Sequence, residues 1–211
     1  MDYFTIAEQV QTSFIEKRSE FIGYLCPVQT NDEAVAFIQS VKAGHRKAKH
    51  HVYAYILRDS NITRYSDDGE PQGTAGVPVL EVLQKRSLTD VCCVVVRYFG
   101  GILLGGGGLV RAYSHSASLS CDTARIRHMC EGTPLTLQMD YTLYGKAANV
   151  LPKYGVLELS SDFGTDVLLE LMVRSEVLPA LTDELTELSA GRIRMQSGTP
   201  CYADFSGKMI S

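Results

Sequence analysis

Chemistry in this sequence concentrates in two stretches. The first is RYFGGILLGGGGLVRAY, residues 97–113, with glycine at positions 100, 101, 105, 106, 107 and 108 and an arginine at 97 and 111. Glycine leaves backbone N–H groups unshielded and reaches positive φ at little steric cost. Followed directly by a helix, such a loop makes an anion site. The amides of Gly100, Gly101, Gly105, Gly106, Gly107 and Gly108, the positive helix end and Arg111 would converge there, with Arg97 as a second cation from the preceding strand. The competing reading is structural: glycine permits a tight crossover where the helix packs on its sheet. A P-loop needs Lys-Ser/Thr after its last glycine, and Leu109 and Val110 stand there instead. Ser114 and Ser116 lie too far downstream for a glycine–serine kinase loop, so phosphoryl transfer is a minor option.

The second stretch is RYSDDGEPQGTAGVP, residues 64–78, where Asp67, Asp68 and Glu70 place three carboxylates within four positions on a turn before a helix. Their spacing does not match a twelve-residue calcium loop. Acid–base work would need a raised pKa that an exposed turn does not supply. The simpler reading is that aspartates bond local amides and cap the next helix. Just upstream, HRKAKHH (45–51) is a basic run ahead of a strand, with His50 and His51 as candidates for the same site as the carboxylates. A Ser116–His50–Asp68 triad exists on paper only. The cysteines at 26, 92, 93, 121, 130 and 201 show no CxxC spacing, and reduced, buried thiols are expected. No metal and no cofactor is expected.

The elements that must position these residues follow from periodicity. Alternation at Val10, Thr12 and Phe14, and at Phe21, Gly23 and Leu25, predicts two strands. TNDEAVAFIQSVKAG predicts a helix with Thr30 and Glu33 at capping-box spacing, an Ala34/Phe37/Ile38/Val41 stripe and Gly44 at its end. VYAYIL and NITRYS read as paired strands, PVLEVLQKR as a helix with Pro78 in its first turn, and DVCCVVVRYF as a strand buried on both faces. A helix over about 108–127 follows, lined by Ala112, Ser116, Ala117, Ser120 and Ala124. The second half starts with a strand at Leu135–Tyr141. A short helix at about 145–153, a hairpin around SDFGTD, a helix in LPALTDELTELSAG and a strand near RIRMQ complete the order βαββαβ, that of a ferredoxin-like domain. The seam is placed in CEGTP (130–134), giving domains 1–131 and 132–211, each with its helices on one face of a sheet.

Composition sets the outer limits. At 211 residues with 45% hydrophobic and 21% charged, the chain can bury a globular core. No apolar run approaches a membrane span, so a cytoplasmic protein without a membrane partner is expected. Residues 1–131 carry 14 basic and 14 acidic side chains, so the net charge of −4 arises in the remainder. A globally basic nucleic-acid binder is disfavoured and no preference for DNA is evident, while a local basic surface remains open.

Together, SDDGEPQGTAGVP and VVVRYFGGILLGGGGLVRAY resemble the Impact family. The core R-Y-F-G-G-x-x-L-G is met by Arg97, Tyr98, Phe99, Gly100, Gly101, Leu104 and Gly105, and KAKHHVYAY resembles the family's His-rich approach to a strand. The resemblance covers the whole chain. It implies an α+β protein of two α/β sandwich domains: a ribosomal-protein-like N-terminal domain also used by small-metabolite kinases, and a ferredoxin-like domain resembling one in elongation factor G. Both folds recur in translation machinery, and eukaryotic relatives act as translational regulators through a protein partner. The implied function is binding of RNA, the ribosome or another phosphate-bearing ligand. Two alternatives stay open: an enzyme acting on a small phosphorylated or nucleotide substrate between the carboxylate turn and the glycine loop, and a protein-binding regulator of translation.

Overall fold

In the computed structural model, which describes residues 2–206, the chain forms two compact units. One comprises residues 3–127, the other residues 128 onward together with Asp2. The first contains β1 (Tyr3–Ile6), β2 (Val10–Glu16), β3 (Ser19–Pro27), α1 (Asn31–Gly44), β4 (His50–Leu57), β5 (Ile62–Ser66), α2 (Gly76–Lys85), β6 (Val91–Tyr98) and α3 (Gly106–Thr123). Its sheet runs β2-β3-β6-β4-β5 with every neighbouring pair antiparallel.

Strand β6 fills the centre of this sheet, and its alternation divides the unit into two cores. Val91, Cys93 and Val95 face α2 and α3 together with Phe21, Leu25, Val52 and Ala54. Cys92, Val94 and Val96 face α1 with Ile22, Tyr24 and Tyr55. Helices therefore cover both faces, where the sequence led us to expect one. The apolar run at 91–96 requires it, because a strand buried on both sides needs a layer on each. Thr30 caps α1 as predicted, its hydroxyl accepting from Glu33 N at 3.2 Å, while Glu33 reaches back to Gln29 N at 2.7 Å. Gly23 sits under α3, where an added Cβ would lie 2.5 Å from Ser120 Oγ.

The second unit contains β7 (Ile126–Met139) from His128 onward, α4 (Tyr141–Ala147), a 3-10 turn (Leu151–Tyr154), β8 (Leu157–Phe163), β9 (Val167–Arg174), α5 (Leu178–Ser189), β10 (Arg194–Ser197) and β11 (Cys201–Asp204). Spatially, β10, β7, β9 and β8 lie side by side, all antiparallel, the ferredoxin-like order. Its core gathers Leu135, Leu137, Leu169, Leu171, Leu181 and Leu185. The helix expected at 145–153 begins earlier, because Asp140 caps it by accepting from Leu143 N at 2.8 Å.

Residues 130–134, expected to interrupt the chain, lie inside the single strand β7. Pro134 is tolerated there for a geometric reason. Its carbonyl accepts from Gly198 N at 2.8 Å, so its donor-less nitrogen faces the connection between β10 and β11 and removes no ladder bond. Gly132 is a close-approach position, since a Cβ would come within 2.8 Å of Met172 Sδ. A glycine and a proline read as a break here were answering the sheet around them.

Candidate functional site

The three carboxylates of the 64–78 turn diverge, each answered by different groups. Asp67 accepts from the backbone N–H of Gly73 (2.9 Å), Ala75 (3.1 Å) and Gly76 (2.8 Å), tying the loop to the start of α2. Asp68 accepts from Lys42 Nζ at 2.9 Å and His51 N at 2.6 Å. Burial raises the Asp68 pKa, but the Lys42 and His51 hydrogen bonds outweigh it and hold the carboxyl below its ordinary value. Asp68 and Gly69 both take positive φ, +44° and +87°, which turns the chain so that Glu70 points the other way. Asp67 thus bonds local amides up to the first residue of α2, while Asp68 is held by distant groups of α1 and β4 and caps no helix.

Glu70 is buried, its side chain 4% exposed. Its Oε1 accepts from Arg97 Nη1 at 2.7 Å and from Tyr113 Oη at 2.7 Å. Arg97 reaches it because residues 91, 93, 95 and 97 of β6 share the face under α2 and α3. The guanidinium lies 5.5 Å from the ring centres of both Phe21 and Phe99. Burial pushes the Tyr113 phenol far up and the adjacent Glu70 carboxylate adds to this, so Tyr113 remains a donor. Arg97, expected as an anion ligand, therefore has its charge matched within the protein. Tyr113 and Ser19, which accepts from Gly100 N at 3.2 Å, complete this cluster and were not anticipated. Tyr113 was legible only as a position one turn beyond Leu109 on the apolar face of α3.

His50 donates from Nδ1 to the Asp68 carbonyl at 2.9 Å, and its Nε2 stands 3.9 Å from Glu70 Oε1. His51 serves Asp68 instead: its Nδ1 stands 3.5 Å from Asp68 Oδ2, and its Nε2 donates to the His45 carbonyl at 3.1 Å. Ser116 packs under Gly23 of β3, so no triad with His50 and Asp68 forms.

The glycines divide by what surrounds them. At Gly100 a Cβ would fall 2.0 Å from the Arg18 backbone, so packing dictates the residue. Gly105 holds φ +70° as the cap of α3, its carbonyl accepting from Leu109 N at 2.9 Å. Gly106 and Gly107 are different. Both are exposed in the first turn of α3, and a Cβ on either would meet nothing closer than 3.6 Å. No fold requirement accounts for them, although each costs roughly 1 kcal/mol of helix stability relative to alanine.

Gly105 and Gly106 form one wall of a cleft of about 360 Å³, facing His50, Glu70, Arg97 and Lys49, with Phe99 and Leu103 at its edge. Leu103 is 82% exposed. Gly108 and Arg111 border a different cavity of about 260 Å³, with Lys17 and His115. The carboxylate turn and the glycine loop are thus neighbours through Glu70, while Arg111 and Gly108 open onto the second cavity. Lys17, Arg18, Arg46, Lys47, Lys49 and Arg111 are exposed, and none makes an ion pair among the described residues.

The chain is similar to known proteins over most of its length. The Impact N-terminal domain model matches residues 17–121 and a domain of unknown function, DUF1949, residues 137–192. The IMPACT family member YvyE of Bacillus subtilis is 38% identical over 203 residues, covering 96% of this chain and 94% of its own. The chain belongs to the Impact family. A eukaryotic relative matches a smaller share: Protein IMPACT of Xenopus laevis is 34% identical over 96 residues, 43% of this chain and 30% of that protein. A crystal structure of a hypothetical protein, 32% identical, matches the Impact chain with a TM-score of 0.60 over 94% of its length and 98% of that chain. Among the described residues, no helix is long and apolar enough to cross a membrane.

Proposed function

We propose that the glycine-loop end of the first unit binds phosphate groups of RNA, and that the protein works in the cytoplasm as a translation-associated RNA- or ribosome-binding factor. One observation carries the reading: Gly106 and Gly107 leave the start of α3 bare where neither backbone conformation nor packing asks for glycine. Unshielded amides at a helix N-terminus suit an oxyanion. Lys49, which lines the cleft with Gly105 and Gly106, and Arg111, whose Nη1 lies 3.6 Å from where a Gly107 Cβ would stand, supply attraction for a phosphate backbone, although the chain as a whole is acidic. The exposed ring of Phe99 offers a face on which an unpaired base stacks. The folds that resemble translation components point the same way by analogy.

The apolar walls of the 360 Å³ cleft favour a second reading, a small phosphorylated or nucleotide ligand seated beside Glu70 and His50. One experiment separates the two. Structured RNA and short polyphosphate are titrated across a salt series with wild type, Arg111→Ala and Lys49→Ala, after equal folding is established. RNA binding predicts a steep salt dependence whose slope falls by about one unit per lost cation. Polyphosphate binding that ignores Arg111 but weakens with Lys49→Ala selects the small-ligand reading. Absence of binding to either at low salt rejects the phosphate site.

A further inference from the structure

We infer a zinc site in the second unit, made by Asp2, His128 and Cys130 and distinct from the glycine-loop cleft. His128 and Cys130 are two apart on β7 and so share one face of the strand. Asp2 belongs to the same compact unit and brings the third donor. Cys130 Sγ lies 3.2 Å from Asp2 Oδ2 and 3.5 Å from His128 Nε2, and His128 Nε2 lies 3.3 Å from Asp2 Oδ2.

These separations fit the edges of a coordination tetrahedron. With Zn–S about 2.3 Å and Zn–N or Zn–O about 2.0–2.1 Å, tetrahedral geometry separates sulfur from nitrogen or oxygen by about 3.5 Å, and nitrogen from oxygen by about 3.3 Å. Hydrogen bonding to Asp2 explains two of the edges. The third, sulfur to imidazole nitrogen, closes the triangle, which a shared carboxylate acceptor does not require. A thiolate, an imidazole and a carboxylate are also the donors zinc prefers, and their two negative charges balance the ion.

The fourth position opens onto a cavity of about 230 Å³ lined by Glu131, Arg174, Ser175 and Glu176. Three protein ligands with an open position leave room for water or an anionic ligand. Arg174 Nη1 lies 3.9 Å from Asp2 Oδ2, where it would meet the charge of such a ligand.

The test uses the full chain, stripped with a chelator and titrated with Zn²⁺ against a metallochromic competitor, then loaded with Co²⁺ to read thiolate-to-cobalt absorption. One Zn²⁺ per chain and a thiolate band are expected. Asp2→Asn and His128→Ala should each weaken zinc by more than the roughly 10–100-fold that loss of an outer-shell partner costs. Cys130→Ser should abolish the band. Because Cys130 is buried, its variant is read alongside Asp2→Asn, which changes an exposed side chain and must keep the wild-type circular dichroism. Cys201→Ser, at an exposed cysteine outside the triad, should bind as wild type. A missing band in wild type, or a band that survives Asp2→Asn and His128→Ala undiminished, overturns the site.

Discussion

At the scale of single residues, the first unit turns on Glu70. A carboxylate this deeply buried is tolerated because a guanidinium and a phenol share its oxygen. Removing it strands Arg97 in a pocket of aromatic rings. Glu70→Ala is expected to cost about 3–5 kcal/mol in urea unfolding with little change in m-value. A loss under about 1 kcal/mol would mean that water reaches the guanidinium freely. Asp68 predicts a pH effect of definite sign. Its folded pKa lies below the unfolded value of about 3.9, so its contribution is complete above that pH and fades as pH falls through the folded pKa. The stability gap between wild type and Asp68→Asn should therefore be constant near neutrality and close on acidification. A gap that widens in acid would show that Asp68 titrates upward instead. Asparagine tolerates the positive φ at this position, which keeps the comparison fair.

At the scale of elements, the start of α3 sets stability against binding. Gly106→Ala and Gly107→Ala should each stabilise the protein by about 0.5–1 kcal/mol, since alanine is the better helix former and its methyl makes only ordinary contacts, with Thr74 or Arg111. Both should weaken phosphate binding by covering the amides. Thermal melts paired with the RNA titration check both halves of this expectation, and stabilisation without loss of binding would leave the bare helix start without a purpose. Gly100→Ala is expected to behave oppositely. Its methyl would enter the Arg18 backbone, so at least about 3 kcal/mol should be lost, or soluble protein with it.

At the scale of the whole molecule, each unit has its own apolar core, and damage should stay where it is made. Leu171 is fully buried among Leu135, Leu137 and Leu169, and Leu171→Ala should cost about 2–5 kcal/mol. Hydrogen exchange should then lose protection across β7, β8 and β9, while β3, β4 and β6 keep theirs. Equal loss in both sets of strands would mean that the cores unfold as one. The alternation from Leu135 was legible beforehand because periodicity is local, and the structure runs it as the second half of β7.

What the sequence determined by itself was therefore most of the elements, the Thr30 cap of α1 and the family, while β1, β11 and the Asp140 cap of α4 went unread. The glycine loop and the carboxylate turn were visible because unusual residues stood close together along the chain. Tertiary structure decided their meaning. Arg97 and Glu70, 27 positions apart, become partners only when β6 brings its odd-numbered face under α3, and this removes Arg97 from the free cations. Arg111, adjacent to the glycines in sequence, faces a different cavity from Gly105 and Gly106 because a helix rotates about 100° per residue. The CEGTP segment passed for a boundary because glycine and proline usually punctuate, and only the neighbouring strands make room for both. Asp2 meets His128 and Cys130 across more than 120 positions, a distance no spacing rule spans. Local pattern fixes what a segment becomes, whereas pairing of charges, ligands and close-packed glycines depends on which distant segments arrive beside it.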